Sequence, residues 1–515
     1  LFGDNKLDKE IKTSYQINGI SHLFSVSGFH INFITSIIYF YLDRVTYNKK
    51  IKYITVDIFL VLYLLLCNTT SLLRCTVMNI LLSINHLLKL NIKKIDIVLL
   101  TLILCIIINP FIIYDIGFIY SYTISFFLIL YKNKYKTNNK LLKIIYISLI
   151  SFLVSLPINI YTSYEINFLS IILNIIIVPI VSLILLPLSL LTLIFPILDN
   201  ILYLITSILE KISLYTSNIN IFKQILSKPS IILIIIYYLV IILILSKNKH
   251  YYLILILLIF HKTIPLYNSN LEVVMFDVGE ADSMLISTPS KKVNILIDTG
   301  RGIDINNIII YLKSIGISKL NYLIITHGDE DHIGGALYLI DNFKVDNVIL
   351  NKGDYTELEV ELITHLKNKN IKYTNNINKI PLLGSYMYLL NTKKFSNEND
   401  NSIVTYFEYQ KYKFLFMGDS SSKTEEYLIN NYNLTNISFL KVGHHGSNTS
   451  SSPLFINKIT PKVSLISVGR NNFYHHPNKE VLTNLSNSVI YRTDINKSIK
   501  IKINNKVKIT KLNNN

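Results

Sequence analysis

Residues Leu323 to Gly335 read LIITHGDEDHIGG, an apolar run closed by His327, Asp329, Asp331 and His332 within six residues and then by two glycines. The run has the length and composition of a buried strand, and open α/β sheets place their chemistry at the carboxyl ends of strands. His327 and Asp329 are two apart and Asp331 and His332 are adjacent, so a loop can aim them at two neighbouring cations. One His or Asp after a strand is an ordinary solvated turn. Four in six residues point to a metal centre.

Working outward, the order after residue 270 reads as strand (LEVVMFDVG), turn, strand (SMLIST), Lys-Lys turn, strand (VNILIDTG), helix over about 304–315, strand (YLIITH), the ligand cluster and a helix from about 333. This pattern predicts a sheet covered by helices. Two later strands also end in chemistry. KYKFLFMGDSS closes on Gly418-Asp419, a carboxylate able to bridge two metals, and SFLKVGHHGSNTSSSP closes on His444-His445. Ser452-Pro453 then reads as an N-cap followed by Pro at the first helical position. Free backbone N–H groups there, with the hydroxyls of Ser447, Thr449 and Ser450, suit an anion such as phosphate. NNFYHHPN places His475 and His476 in a loop, where either is a ligand, a proton donor or merely exposed.

The chain of 515 residues is too long for one ordinary domain, and its composition divides it. Up to about residue 267 it is rich in Ile, Leu and Tyr, in runs long enough to cross a hydrocarbon core, which takes about 20 helical residues. The predicted spans are 23–42, 53–68, 70–88, 96–113, 116–131, 144–160, 168–194, 199–217, 229–246 and 250–266. Lys-rich turns at 43–52, 90–95, 132–143 and 247–250 each follow an odd-numbered span, so keeping them cytoplasmic puts both the N-terminal segment and everything after 270 outside. Lys223 and Lys228 vote the other way. Net charge is +17, of which the first 270 residues carry +12 and the remainder +5, so the basic excess belongs mostly to the loops of the apolar half and not to a polyanion-binding face of the second. His30, Asp57, Arg74, Asp115 and Glu165 fall in or beside the spans; Asp57, Asp115 and Glu165 sit near span ends, whereas Arg74 is deep. Prolines and glycines at 110, 117, 157, 179, 187 and 196 predict broken helices, consistent with a transport path or with a rigid anchor. All three cysteines, Cys67, Cys75 and Cys105, lie in the apolar half, which excludes disulfides and thiolate zinc sites from the second. The opening LFGDNKLDKE lacks a signal pattern, and the expectation is a fragment missing its start.

These residues resemble the metallo-β-lactamase fold: an IDTG strand end at Asp298, a cluster of HxHxDH type with Asp329 in the second His position, a strand-end Gly-Asp and a late His. The His expected between cluster and Gly-Asp has no counterpart, and NENDNS (397–402) occupies its region. FDVGEADS, THGDEDHIGG, FMGD, KVGHHGSNTSSS and the pattern of Asn472, Tyr474, His476 and Pro477 resemble more narrowly the ComEC family, membrane channels for DNA uptake in competent bacteria. GISHLFSVSGFHINFI, NPFIIYDIGFIYSY and the run from SLPINIY through NFLSIILNIIIVPIVSLILLPLSLL are similar to that family's competence domain, so the resemblance covers nearly the whole chain. Departures are Glu280-Ala281 for the usual Gln-Gly and Gly328 for the usual Pro.

The resemblance implies an N-terminal segment (1–22), a polytopic all-α membrane domain of about ten transmembrane helices (23–267) with Arg74 in the channel, and an outward α/β metallo-β-lactamase-like (αββα) domain (270–515). It implies two divalent cations, manganese or zinc, on His327, Asp329, Asp331, His332, Asp419 and His445, with the carboxylate-rich set tilting toward manganese. Asp331 and His476 are assigned to catalysis, His476 as proton donor or phosphate contact; His444, Ser447, Thr449, Ser450 and Asn472 are assigned to substrate. The implied activity is a phosphodiesterase or deoxyribonuclease that degrades one strand of duplex DNA while the other passes through the membrane. No GxxxxGK[ST] loop is present, so a motor must be a cytoplasmic ATP-driven partner, beside a DNA receptor and lipid; an oligomer is allowed. The competing expectations are a membrane-anchored metallohydrolase acting on a lipid, nucleotide or envelope substrate without a channel, and a channel with an inactive soluble module.

Overall fold

The computed structural model describes residues 7–512 except 25–27, 68, 133–135, 248–249 and 392. Ser25 to Ser27 of the motif around Gly28, and parts of the Lys-rich turns at 132–143 and 247–250, therefore lie outside the described residues. Two compact units emerge, Leu1–Ile259 and Phe260–Asn515.

The first unit is helical. Each predicted span coincides with a helix, among them Gly28–Val45, Lys49–Cys67, Thr70–Leu87, Ile116–Leu130, Asp199–Ser217 and Ile231–Lys247. Among the described residues only Leu141–Ser163 and Leu169–Thr192 are both long and apolar enough to cross a membrane; Ile116–Leu130, Ile231–Ser246 and Tyr252–Tyr267 are apolar but shorter. Asp115 caps its helix, its carboxylate accepting from Phe118 N–H at 2.8 Å. The predicted span 96–113 stops earlier, because Lys94–Ile108 ends before Pro110 and a 3₁₀ turn follows. Pro179 leads into a π-helical turn at Val181–Leu185, whereas Pro157 leaves Lys140–Ser163 unbroken. A short antiparallel pair, Glu165–Asn167 with Lys223–Ile225, and an amphipathic helix Lys9–Ile17 were not read from the sequence. That helix docks through Ser14 Oγ to Ser213 Oγ (2.9 Å), and Asn18, just beyond its end, donates to Ser213 O (2.8 Å). Large apolar side chains such as Leu65, Leu66, Leu183 and Ile197 face outward, a surface unsuited to water.

The second unit stacks two sheets. One runs Val507–Leu512, Ser498–Ile503, Leu271–Met275, Met284–Ser287, Asn294–Ile297, Tyr322–Ile324, Asn347–Ile349 and Lys372–Thr374; the other runs Val489–Arg492, Val463–Ile466, Phe439–Lys441, Tyr412–Phe416, Thr405–Tyr409, Ser385–Leu389 and Lys379–Leu382. Each is antiparallel through one half and parallel through the other. Alternate residues (Leu271, Val273, Met275; Phe414, Phe416) fill the layer between the sheets. Leu415 and Leu440 turn the other way, to join Leu428 and Phe455 of the helices Ser422–Asn431 and Pro453–Ile459. Helix Ile305–Ser314 is amphipathic, burying Ile305, Ile308, Ile309 and Leu312. The result is the expected αββα sandwich. The parallel strands of both sheets end in the loops that carry the ligand residues.

Candidate metal centre

Strand Tyr322–Ile324 delivers His327, a turn carries Asp329, and the single helical turn Glu330–Ile333 carries Asp331 and His332. Asp419 and His445 follow the second sheet's strands Tyr412–Phe416 and Phe439–Lys441. Gly418 has φ +57°, and a Cβ there would lie 2.8 Å from that of Ser402, so only glycine lets the strand turn Asp419 inward.

The six predicted ligands converge. His332 Nε2 lies 3.3 Å from Asp419 Oδ1, and His445 Nε2 lies 3.5 Å from Asp419 Oδ2 and 3.4 Å from Asp331 Oδ2. His327 Nε2 stands 3.3 Å from Asp329 Oδ2, and His327, His332 and Asp419 form a second group able to hold one ion. Asp419 thus offers an oxygen to each side. The chemistry of the buried atoms fits cations: the Nε2 atoms of His327, His332 and His445 and Oδ1 of Asp419 are buried without a hydrogen-bond partner among the described residues. The opposite edges of two imidazoles are anchored, as metal ligands require. His332 Nδ1 donates to Asp298 at 2.9 Å, and Asp298 in turn accepts from the N–H and hydroxyl of Thr326, both at 2.7 Å. His445 Nδ1 donates to the Ser467 carbonyl at 2.9 Å.

Charge is concentrated here. Burial opposes ionisation of Asp419, but His332 and His445 override it and hold the carboxyl well below the usual range. Burial likewise opposes the charge on His445, yet Asp419 and Asp331 push its imidazole up to about 9. Asp331 is held down to about 2, against its burial, by His445, whose Nε2 lies 3.4 Å from its Oδ2, and by the charge of His332.

Four residues around the cluster were given no role by the sequence. Asp282, in FDVGEADS, is buried and ion-paired with the fully buried Lys441, whose ammonium also donates to Gly418 O at 2.9 Å and lies 3.7 Å from Asp419 Oδ1. Lys441 looked like an ordinary strand residue. Glu280, the departure from Gln, accepts from the Gly469 N–H at 2.7 Å and lies 2.8 Å from His476 Nδ1. In the region lacking the expected His, Glu398 accepts from Gly328 N–H at 3.1 Å and from Asn351 at 2.9 Å. Gly328 is explained by the same neighbourhood: a Cβ there would sit 2.2 Å from Thr356 Oγ1 and 2.7 Å from Glu359 Oε2, and proline would also lose the bond to Glu398.

The substrate assignments fare unevenly. His444 remains beside the centre, between Thr449 Oγ1 (3.0 Å) and His476 (ring centroids 6.1 Å). The anion site expected at the start of helix Pro453–Ile459 is already filled: Glu425 accepts from the N–H groups of Ser451 and Ser452. Ser450 donates its hydroxyl to Gly443 O at 2.8 Å, and Ser447 Oγ packs 3.1 Å from Thr449 Oγ1. Asn472 is engaged with the backbone at Gly469 and His476. These groups brace loops. Arg74, in the helical unit, donates to Ser125 Oγ at 3.3 Å and lies 5.8 Å from the Tyr122 ring centre.

Residues 1–249 match the family described as Competence protein, and residues 276–470 match the Metallo-beta-lactamase superfamily. The chain thus carries a competence-protein domain followed by a metallo-beta-lactamase domain. It is 27% identical to ComE operon protein 3 of Bacillus subtilis (strain 168) over 97% of this chain and 70% of that protein. It is 30% identical to Competence protein ComA of Neisseria gonorrhoeae over 41% of this chain and 28% of that one. Among solved structures, the metallo hydrolase Igni18 of Ignicoccus hospitalis aligns with 45% of this chain and 100% of its own at 15% identity (TM-score 0.32), and a diphosphatase of the PhnP family with 45% and 98% at 14% identity (TM-score 0.29). The helical first unit thus matches the competence-protein model, and the second matches a superfamily in whose region the metal-type side chains are gathered.

Proposed function

We propose that this protein passes single-stranded DNA across the cytoplasmic membrane, and that its second unit, on the outer side, is a two-metal phosphodiesterase that degrades the other strand. The observation that carries the enzymatic part is the convergence of the buried, unpartnered Nε2 atoms of His327, His332 and His445 on Asp419. Two divalent cations, manganese or zinc, held by these residues with Asp329 and Asp331 would lower the pKa of a bound water toward neutrality and neutralise a phosphate oxygen. The chain's own groups set up that step. Asp298 and the Ser467 carbonyl keep His332 and His445 in the tautomer that leaves Nε2 for a metal. Asp331, with a quarter of its side chain exposed, faces the substrate side. His476, fixed through Nδ1 by Glu280, keeps Nε2 for donating a proton to the leaving oxygen or binding a phosphate, and His444 with Thr449 lines the approach.

On the membrane side we place ten spans between residues 23 and 267, the hydrolase at 270–515, Lys-rich loops in the cytoplasm and Arg74 on the transport path. Translocation then draws on a cytoplasmic ATP-driven partner and a DNA receptor outside. The test is cleavage of end-labelled single- and double-stranded DNA by the full chain in lipid nanodiscs, with manganese, zinc or chelator. Metal-dependent cleavage is expected; metal loading without cleavage of any DNA would instead favour a lipid or envelope phosphodiester as substrate.

A further inference from the structure

The loop that carries His476 also holds two large aromatic rings in water: Phe473 is 89% exposed and Tyr474 64%. Their position is imposed by bracing, not by burial. Asn472 donates to Gly469 O (3.1 Å) and His476 O (2.8 Å) and accepts from His476 N–H (2.8 Å). Glu280 ties Gly469 N–H and His476 Nδ1 from the opposite sheet, and Arg470 Nε donates to Asp494 O at 2.9 Å. Tyr474 lies nearly parallel to His476, with ring centroids 5.6 Å apart and planes 18° apart, and Phe473 stands edge-on to Tyr474 at 5.9 Å. Inward, His476 is 6.1 Å from His444, which is 6.4 Å from the ligand His445. Phe473, Tyr474, His476, His444 and His445 therefore form an unbroken file of rings from solvent to the metal-type cluster.

We infer that the outer end of this file is a nucleobase platform: an unpaired base next to the scissile phosphate stacks on the Phe473 ring with Tyr474 against its edge, so the centre selects single-stranded DNA over phosphodiesters that carry no base. The inference rests on the nuclease reading above and names its substrate form. Cations hold phosphate oxygens, and a flat apolar ring a short way off recognises what a nucleotide adds to a phosphate. A duplex covers its base faces by stacking them on one another. A lipid or linear phosphodiester offers no face at all. Because every base has a π-face, such a platform is also indifferent to sequence, as a channel for arbitrary DNA requires.

The test uses the full chain in nanodiscs and fluorescent single-stranded oligodeoxynucleotides of one length, either base-bearing or abasic, with binding measured by anisotropy in chelator and cleavage measured separately with manganese. Wild type is expected to prefer the base-bearing strand about tenfold, the worth of one stacked base. Phe473→Ala should reduce that ratio toward one and Phe473→Trp should retain it. Both residues are exposed, so the substitutions leave the fold intact. Equal affinity for the two strands in wild type, or a preference that survives the Phe473→Ala, Tyr474→Ala double variant, overturns the platform. A Phe473-dependent preference without cleavage keeps the platform and removes the nuclease reading; cleavage without any base preference does the reverse.

Discussion

The two sides of the candidate centre are built differently. On one side His332 and His445 are buried, each has its second ring nitrogen anchored, and Lys441 with Asp282 sits beneath them. On the other side, among the described residues, His327 Nδ1 meets only hydroxyls, Thr326 Oγ1 at 3.2 Å and Ser402 Oγ at 3.4 Å, and Asp329 keeps 47% of its side chain in solvent. Anchored imidazoles hold metals tightly, whereas a loosely held pair exchanges them. On the proposed two-cation reading, the comparison predicts one firmly bound cation and one labile one, with Asp419 common to both.

The largest effect belongs to the shared residue. Asp419→Ala should remove both sites and lower manganese-dependent phosphodiester cleavage by a thousandfold or more, on the order of what a metal-activated water supplies. Cleavage within tenfold of wild type would break the comparison at its centre.

The anchored side comes next. Asp298→Asn frees His332 Nδ1 from its carboxylate, and the firm site should weaken by about 10- to 100-fold in a competitive chelator titration, more than the labile side, where His327 and Asp329 also contribute. Equal weakening of both would mean the two sides are not independent.

Protonation sharpens the contrast. In the metal-free protein the His445 imidazole is raised from its usual 6.5 to about 9, so its ion pairs stabilise the fold fully below about pH 6.5 and lose that effect as pH rises through about 9. A metal needs the neutral ring. Binding at the firm side should therefore release a proton, with apparent affinity rising about tenfold per pH unit toward pH 9, measurable by calorimetry in buffers of different ionisation enthalpy.

The smallest effect lies behind the open side. Thr356 caps helix Glu357–Asn368 through a capping box with Glu359 and donates to Gly328 O at 3.1 Å. Thr356→Ala should cost about 1 kcal/mol of domain stability and loosen the turn between His327 and Asp329, raising the exchange rate of the labile metal alone.

That His327, Asp329, Asp331, His332, Asp419 and His445 gather was legible because each follows an apolar strand, where residue type and local position suffice. Asp282 with Lys441, and Glu280 with His476, were not: their partners lie 159 and 196 residues apart, and a lone Lys in FLKVG or Glu in VGEAD carries no local sign of a partner. The anion site misread at Ser452-Pro453 failed for the same reason, since Glu425 comes from another helix. In the fold, continuous apolar runs bounded by turns exposed the strands, while the pairing of Glu165–Asn167 with Lys223–Ile225 is too short to leave a pattern.

The central claim is a two-cation centre that shares Asp419, and the direct measurement is manganese and zinc content per chain in wild type, Asp329→Ala and Asp419→Ala after passage through dilute chelator. The account predicts two ions before chelation in wild type, one in Asp329→Ala and none in Asp419→Ala, with only the firm ion surviving chelator. The same metal content in all three proteins, or a wild type that binds none, would contradict it.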